Sequence, residues 1–293
     1  MRIAVVGASG RLGAVLASDM AAAGHEVSAL TRADLEITDT ARANRVLGAL
    51  RPDAIVNACA YNAVDGAETD PDAAYRVNAV GPAILAAIAR DQDAVLVHYS
   101  SDFVFDGMNR EPYVEDDITN PLSVYGASKL AGELEVRRVP RHFVLRVASV
   151  FGGVGVRGHV ATIDYFVQSL LQGRVVRAAV DRTVTPTFVP DATRATLALL
   201  EGPAPYGLYH CVNGESAAWF EVAREIAQIL GVDSPIEPAS AAGATKGARR
   251  PLHAALSNRK LSAVFPMPDW RSALRRHVAA EYSERTGRVS LAT

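Results

Sequence analysis

A short apolar run, "RIAVVGA", passes straight into Gly7-Ala8-Ser9-Gly10-Arg11-Leu12-Gly13 and from there into the Ala-rich segment "GAVLASDMAAAG". Glycines at this spacing between a strand and a helix allow a tight turn and a close backbone approach to a diphosphate, with the helix N-terminus aimed at its charge. The pattern then repeats without a break: "EVSALT", "TARANRVLGALR", "AIVNACA", "PDAAYRVNAVGPAILAAIAR" and "AVLVHYS". Short apolar strands alternating with amphipathic helices predict a parallel sheet covered by helices on both faces.

A polar, acidic loop, "DGMNREPYVEDDITNP", leads to one more helix and then to the strand "HFVLRVASVFG", giving six or seven parallel strands in all. The expected fold class is therefore α/β, a Rossmann-type doubly wound parallel sheet, followed by a smaller C-terminal α+β substrate-binding lobe. At 293 residues the chain exceeds what one core holds comfortably. Residues 1–150 are read as the dinucleotide-binding domain, completed by part of 174–201, and 151–293 mainly as the lobe. In that lobe "GGVGVRG" reads as a loop, "TIDYFVQSLLQG" as a helix, "GLYHCVNG" as a short strand, and "WFEVAREIAQILG" and "DWRSALRRHVAAEYSER" as helices.

Composition excludes several classes of function. A net charge of −2 leaves no basic excess for a nucleic acid backbone. No apolar run approaches the roughly 18 residues of a membrane span, and no charged leader precedes the first strand, so a cytoplasmic protein is expected. The two cysteines, Cys59 and Cys211, have no metal-ligand spacing and read as thiols inside the fold, so no metal is expected.

The second strand should end near Leu30, where an NAD site would place an acid against the ribose 2′-hydroxyl. Thr31-Arg32 stands there instead. An arginine pairs with a 2′-phosphate, so NADP(H) is favoured, while Asp34 or Glu36 keeps NAD(H) open.

The chain holds 27 arginines and only three lysines, yet one lysine lies in "SVYGASKLAGE", four residues after Tyr125. That spacing puts Tyr125 and Lys129 on one helix face, where an ammonium is expected to lower the phenol pKa and fit it as a general acid. Nine tyrosines and three lysines in 293 residues give about 0.09 such pairs by chance. Ser100, Ser101 and Asp102 close the strand "VLVHYSSDFVF", at the edge where parallel strands deliver residues to a ligand. Ser101 can donate a hydrogen bond to the carbonyl oxygen that Tyr125 would protonate.

Together these residues resemble the extended short-chain dehydrogenase/reductases, and within them the dTDP-4-dehydrorhamnose reductase (RmlD-like) family. The segments "RPDAIVNACAYNAVDGAETDP", "VHYSSDFVFDG", "PLSVYGASKLAGE" and "GLYHCVNG" follow that family's blocks in order and spacing. The resemblance implies a catalytic Ser101-Tyr125-Lys129 triad in which Lys129 also holds the nicotinamide ribose. It implies that Gly7, Ser9, Gly10, Arg11, Leu12 and Gly13 hold the diphosphate, Thr31, Arg32, Glu36 and Ile37 the adenosine half. Ala58, Cys59, Ala60, Tyr61 and Asn78 would then line the cofactor. On the substrate side it implies Ser101, Asp102, Phe103, Ser149, Arg182 and Arg250, the two arginines toward a sugar diphosphate.

The family pattern breaks after "HFVLRV", where a Trp and an Asn-Phe pair give way to Ala148-Ser149-Val150-Phe151. Loss of an aromatic wall reshapes the sugar pocket. The implied activity is NADPH-dependent reduction of the C4 ketone of a dTDP-linked 4-keto-6-deoxyhexose, in rhamnose or secondary-metabolite synthesis. Two alternatives stay open: a non-catalytic NADP-binding regulatory subunit, and a nucleotide-sugar epimerase or dehydratase of the same superfamily. The partner expected is a small nucleotide sugar, with neither a nucleic acid polymer nor a membrane, and the oligomeric state is left open, a homodimer included.

Overall fold

Strand β4, "VLVHYSS" (Val95–Ser101), is buried at all seven positions, as a strand with helices on both its faces must be. It lies at the middle of a six-stranded sheet in a computed structural model that describes residues 1–153, 160–242 and 247–286. The neighbours β1 (Arg2–Val6), β2 (Glu26–Leu30), β3 (Ala54–Asn57) and β5 (His142–Val147) all run parallel, and Gly207–His210 adds an edge strand beside β5. The spatial order is Gly207–His210, β5, β4, β3, β1, β2. The chain winds outward in opposite directions from β1, so a crevice opens at the carboxyl ends of β1 and β3.

The sixth strand follows the 174–201 segment in the chain. That segment supplies the Val189–Glu201 helix, whose Ala192, Ala195 and Leu199 pack on the sheet with Leu16 and Met20 of helix α1 (Arg11–Ala22). Leu30, Leu47, Leu85 and Ile88 form the core on the opposite face. A third core belongs to the second lobe, where Phe151, Phe166, Trp219, Trp270 and Leu274 come together.

The long helix read from "PDAAYRVNAVGPAILAAIAR" is three pieces: Pro71–Tyr75, a π-helical turn Arg76–Val80, and Gly81–Asp91. Gly81-Pro82 opens the last piece, and the wide turn before it carries Asn78 inward, a common use of π-turns. Of the loop "GGVGVRG", residues 154–158 lie outside the described residues. Among the described residues no helix is long and apolar enough to cross a membrane.

One buried ion pair ties the sheet to the helix Val124–Val136. Arg146 donates to Glu133 through Nε at 2.9 Å and Nη2 at 2.8 Å, with both side chains closed to solvent. Its guanidinium also lies over the Phe105 ring at 4.9 Å. Removing one partner strands the other charge, so Glu133→Ala is expected to cost about 3 to 5 kcal/mol in urea unfolding. The double change Glu133→Met/Arg146→Met should recover most of that loss.

Candidate active site

Ser101 is the last residue of β4 and caps the short 3₁₀ turn Asp102–Val104 by accepting the Phe103 N–H at 3.2 Å. The Val124–Val136 helix starts at Ser123, whose hydroxyl accepts the Gly126 N–H at 3.2 Å. Two glycines let this helix approach the sheet. A Cβ at Gly126 would sit 2.2 Å from the Phe103 carbonyl oxygen, and one at Gly132 would sit 2.1 Å from that of Asn78. Both obstacles are backbone, so they cannot move aside. Gly126→Ala should therefore destabilise the protein by about 1 to 3 kcal/mol and slow turnover, as urea unfolding and steady-state rates would register.

That approach sets Tyr125 beside Ser101, with its ring edge-on to Phe103 at 5.4 Å. The phenol donates a long hydrogen bond, 3.5 Å, to Asn62 Oδ1. Burial pushes Tyr125 up to about 12, offset in part by a hydrogen bond from Ser101 and reinforced by the Asp102 charge. The expected lowering of the phenol by Lys129 does not occur in this arrangement. Lys129 reaches past the tyrosine into the sheet, and its ammonium donates to the Tyr99 carbonyl at 2.6 Å. Burial lowers Lys129 itself to about 8, against the opposing pull of Glu133 and Cys59.

Asp102 is buried, accepts the Ser101 hydroxyl at 2.9 Å, and is raised to about 6 by desolvation despite that bond and the Arg182 charge. Arg182 lies over the other side of Phe103, 5.9 Å from the ring centroid, and among the described residues its buried Nε has no partner. Arg250 donates to Asp65 at 2.9 Å and is close enough to lower the Arg182 pKa, after the larger effect of burial. Arg182 thus reaches the Ser101–Phe103 turn with a donor to spare, and Arg250 lies close enough for its charge to act on Arg182. Ser149 follows β5 at a φ of +47°, an unusual backbone for a non-glycine residue.

The glycine loop has the form a dinucleotide needs. Gly7 has a φ of +87°, and a Cβ on Gly13 would stand 2.2 Å from the Gly7 carbonyl oxygen. Gly10 begins α1 without any side-chain cap, which leaves the first-turn amides to an anion. Ser9 is exposed beside them and Leu12 packs on the core. Arg11 offers only its backbone here, because its guanidinium turns away to Asp164 at 3.0 Å.

Behind the loop, two buried asparagines fix the backbone strip that runs over Ala58, Cys59, Ala60 and Tyr61. Asn57 accepts the Cys59 N–H at 3.1 Å and donates to His98 at 3.0 Å. Asn78 accepts the Tyr61 N–H at 2.8 Å and donates to the Tyr61 carbonyl at 3.2 Å and to Ser128 at 3.0 Å. Its side-chain oxygen and nitrogen are both engaged by protein groups, so Asn78 positions the strip. Cys59 is pushed up to about 11 by burial and remains a thiol.

At the end of β2, Thr31 bonds to Asp34 through its N–H at 2.9 Å and its hydroxyl at 2.7 Å, and Arg32 pairs with Glu36 at 2.5 Å. The Arg32 side chain is 88% exposed, so that pair is cheap to break and the guanidinium is free to turn to a 2′-phosphate. Ile37 is buried in the core against Gly81, leaving Glu36 as the side chain that faces outward. The cradle, uncapped helix and mobile cation at the β2 end together fit NADP(H), with Glu36 available to NAD(H).

Sequence reasoning did not single out Asn57, Asn62, Asp65 or His98. Asn57 could have been found as the polar residue closing an apolar strand, whereas Asp65 and His98 act through contacts distant in the chain.

The family described as RmlD substrate binding domain matches residues 1–283. A dTDP-4-dehydrorhamnose reductase of Mycolicibacterium smegmatis is 36% identical over 285 residues, covering 95% of this chain and 85% of that one. A dTDP-4-keto-6-deoxy-D-glucose reductase of Streptomyces niveus is 32% identical, covering 92% and 94%. The crystal structure of a Bacillus anthracis dTDP-4-dehydrorhamnose reductase in complex with NADP superposes with a TM-score of 0.89 at 28% identity, over 95% of this chain and 99% of that one.

Proposed function

The chain belongs to the RmlD substrate binding domain family, and on that premise we propose that it reduces the C4 ketone of a dTDP-linked 4-keto-6-deoxyhexose to the alcohol. The observation that carries this reading is the meeting of Ser101, Tyr125 and Lys129 at the carboxyl edge of the sheet, next to the glycine loop. Gly7–Gly13, Thr31-Arg32 and Ala58–Tyr61 would hold NADPH, whose chemistry would be to supply the hydride.

Tyr125, held near 12, keeps its proton at neutral pH and gives it to the ketone oxygen as negative charge develops there. Ser101 turns its hydroxyl from Asp102 toward the same oxygen and stabilises that charge. Lys129 keeps a positive charge below pH 8, close to the reacting groups, and from the Tyr99 carbonyl it can extend to the ribose. Arg182 and Arg250 serve the diphosphate, the former with its unpartnered Nε. Ser149 lies where the sugar would meet the turn after β5.

The test is NADPH consumption, followed at 340 nm, against a panel of dTDP-4-keto-6-deoxyhexoses, with the product identified by NMR. A 4-hydroxy sugar formed in step with NADPH loss supports the reading. No consumption with any member of the panel overturns it.

A further inference from the structure

Arg11 stands first in α1, where a cofactor ligand would be sought, but its guanidinium points across the domain boundary. Nη2 lies 3.0 Å from Asp164 Oδ2, with both side chains only 11 to 12% exposed, and Nη1 donates to the Gly152 carbonyl at 3.0 Å. Asp164 belongs to the Thr162–Leu171 helix, and its other oxygen meets His277 Nε2 at 2.9 Å and the Tyr282 hydroxyl at 3.4 Å, both from the C-terminal helix Trp270–Thr286. Four segments of chain therefore meet around one buried carboxylate.

The segment gripped at Gly152 is the turn that follows β5. Ser149 has a φ of 47°, unusual for a non-glycine residue, while Gly152 and Gly153 take φ of 77° and 73° freely, so outside contacts help fix this turn. Those contacts are close. A Cβ at Gly152 would stand 2.4 Å from the Phe188 ring, and one at Gly153 would stand 2.9 Å from Val15 and 3.2 Å from the Arg11 carbonyl oxygen. Arg11 thus holds the turn with its guanidinium and packs against it with its backbone, while Asp164 fixes the guanidinium.

We infer that the Arg11–Asp164 pair is a positioning device for the substrate: it fixes the Ser149–Gly153 turn against the dinucleotide helix and so sets affinity for the sugar. This rests on the proposed function, since it takes Ser149 to face the sugar. The reverse idea, that the pair serves only to hold the lobes together, predicts a change in stability without a selective change in binding.

The experiment compares the wild type with Asp164→Asn, Arg11→Lys and the double variant Arg11→Met/Asp164→Leu, which leaves no buried charge unpaired. Steady-state constants are measured for the dTDP-4-ketosugar and for NADPH, beside urea unfolding. In Asp164→Asn and in the double variant KM for the sugar should rise about tenfold or more, by a clearly larger factor than KM for NADPH. Arg11→Lys, which can pair with Asp164 but cannot also span to Gly152, should lie between. An unchanged sugar KM, or equal rises for sugar and NADPH, overturns the inference whatever happens to stability. If the wild type itself turns over no dTDP-4-ketosugar, the proposed function has failed instead, and direct NADPH binding shows that the protein is folded.

Discussion

Replacing Tyr125 by Phe should lower the rate of ketone reduction by about 10²- to 10⁴-fold, the range for loss of a positioned general acid. The ring itself is retained. Phe fills the same space against Phe103, where the tyrosine already stands edge-on at 5.4 Å. The lost hydroxyl makes a 3.5 Å hydrogen bond to Asn62 and lies beside the Ser101 hydroxyl, and it is buried in its neutral form, which costs far less than the phenolate would. Stability in urea should accordingly stay within about 1 kcal/mol of the wild type. A variant that keeps its fold and loses its rate separates the proton from the packing; one that reduces the ketone within tenfold of wild type removes Tyr125 from the chemistry. Because the phenol is held near 12, it contributes no limb to the pH profile below about pH 10.

The elements that could be read from the sequence are those whose signal is local. The glycine loop stands between β1 and α1 as its spacing demanded, and the strand-helix alternation gives the parallel sheet. Tyr125 and Lys129 share a helix that begins at Ser123. What the spacing could not say is where Lys129 goes. A shared helix face left the ammonium free to meet the phenol, but the close approach at Gly126 and Gly132 puts the β4 carbonyls within its reach, and Tyr99 takes it.

Arg11 shows the same limit. Its position in the loop implied a cofactor ligand and its backbone stays available for that, but its guanidinium pairs with Asp164, more than 150 residues away in the chain and in the other lobe. The pairing of Asp164 with His277, 113 residues apart, has no local signature either. The edge strand Gly207–His210 could not be assigned from "GLYHCVNG" alone, since four residues beside β5 read the same as a strand of the lobe. Local pattern reported the scaffold and the helix that carries Tyr125 and Lys129; the contacts that orient these side chains are set by tertiary packing.

Lys129→Met should lower turnover and raise stability together, and the two effects have one origin. In the folded protein Lys129 is buried and holds its proton only up to about 8, against 10.5 for the unfolded chain. Below pH 8 both states are protonated and the folded state bears the full cost of burying the charge. Between about 8 and 10.5 the unfolded state binds more protons, so the contribution of Lys129 to stability rises with pH across that window. Methionine removes the buried charge at the expense of the hydrogen bond to Tyr99, for a net gain of roughly 2 kcal/mol at pH 7. The gain should shrink toward pH 10, and comparing variant with wild type cancels the other groups that titrate there. Turnover at pH 7 should fall about 10²- to 10³-fold, the scale of losing one charge buried within the site. The wild-type kcat/KM should decline above about pH 8 as Lys129 loses its proton, and that limb should be absent from the variant. A variant less stable than wild type at pH 7, or one that keeps the limb near pH 8, would show that the ammonium is neither the buried charge that strains the fold nor the group that sets the profile.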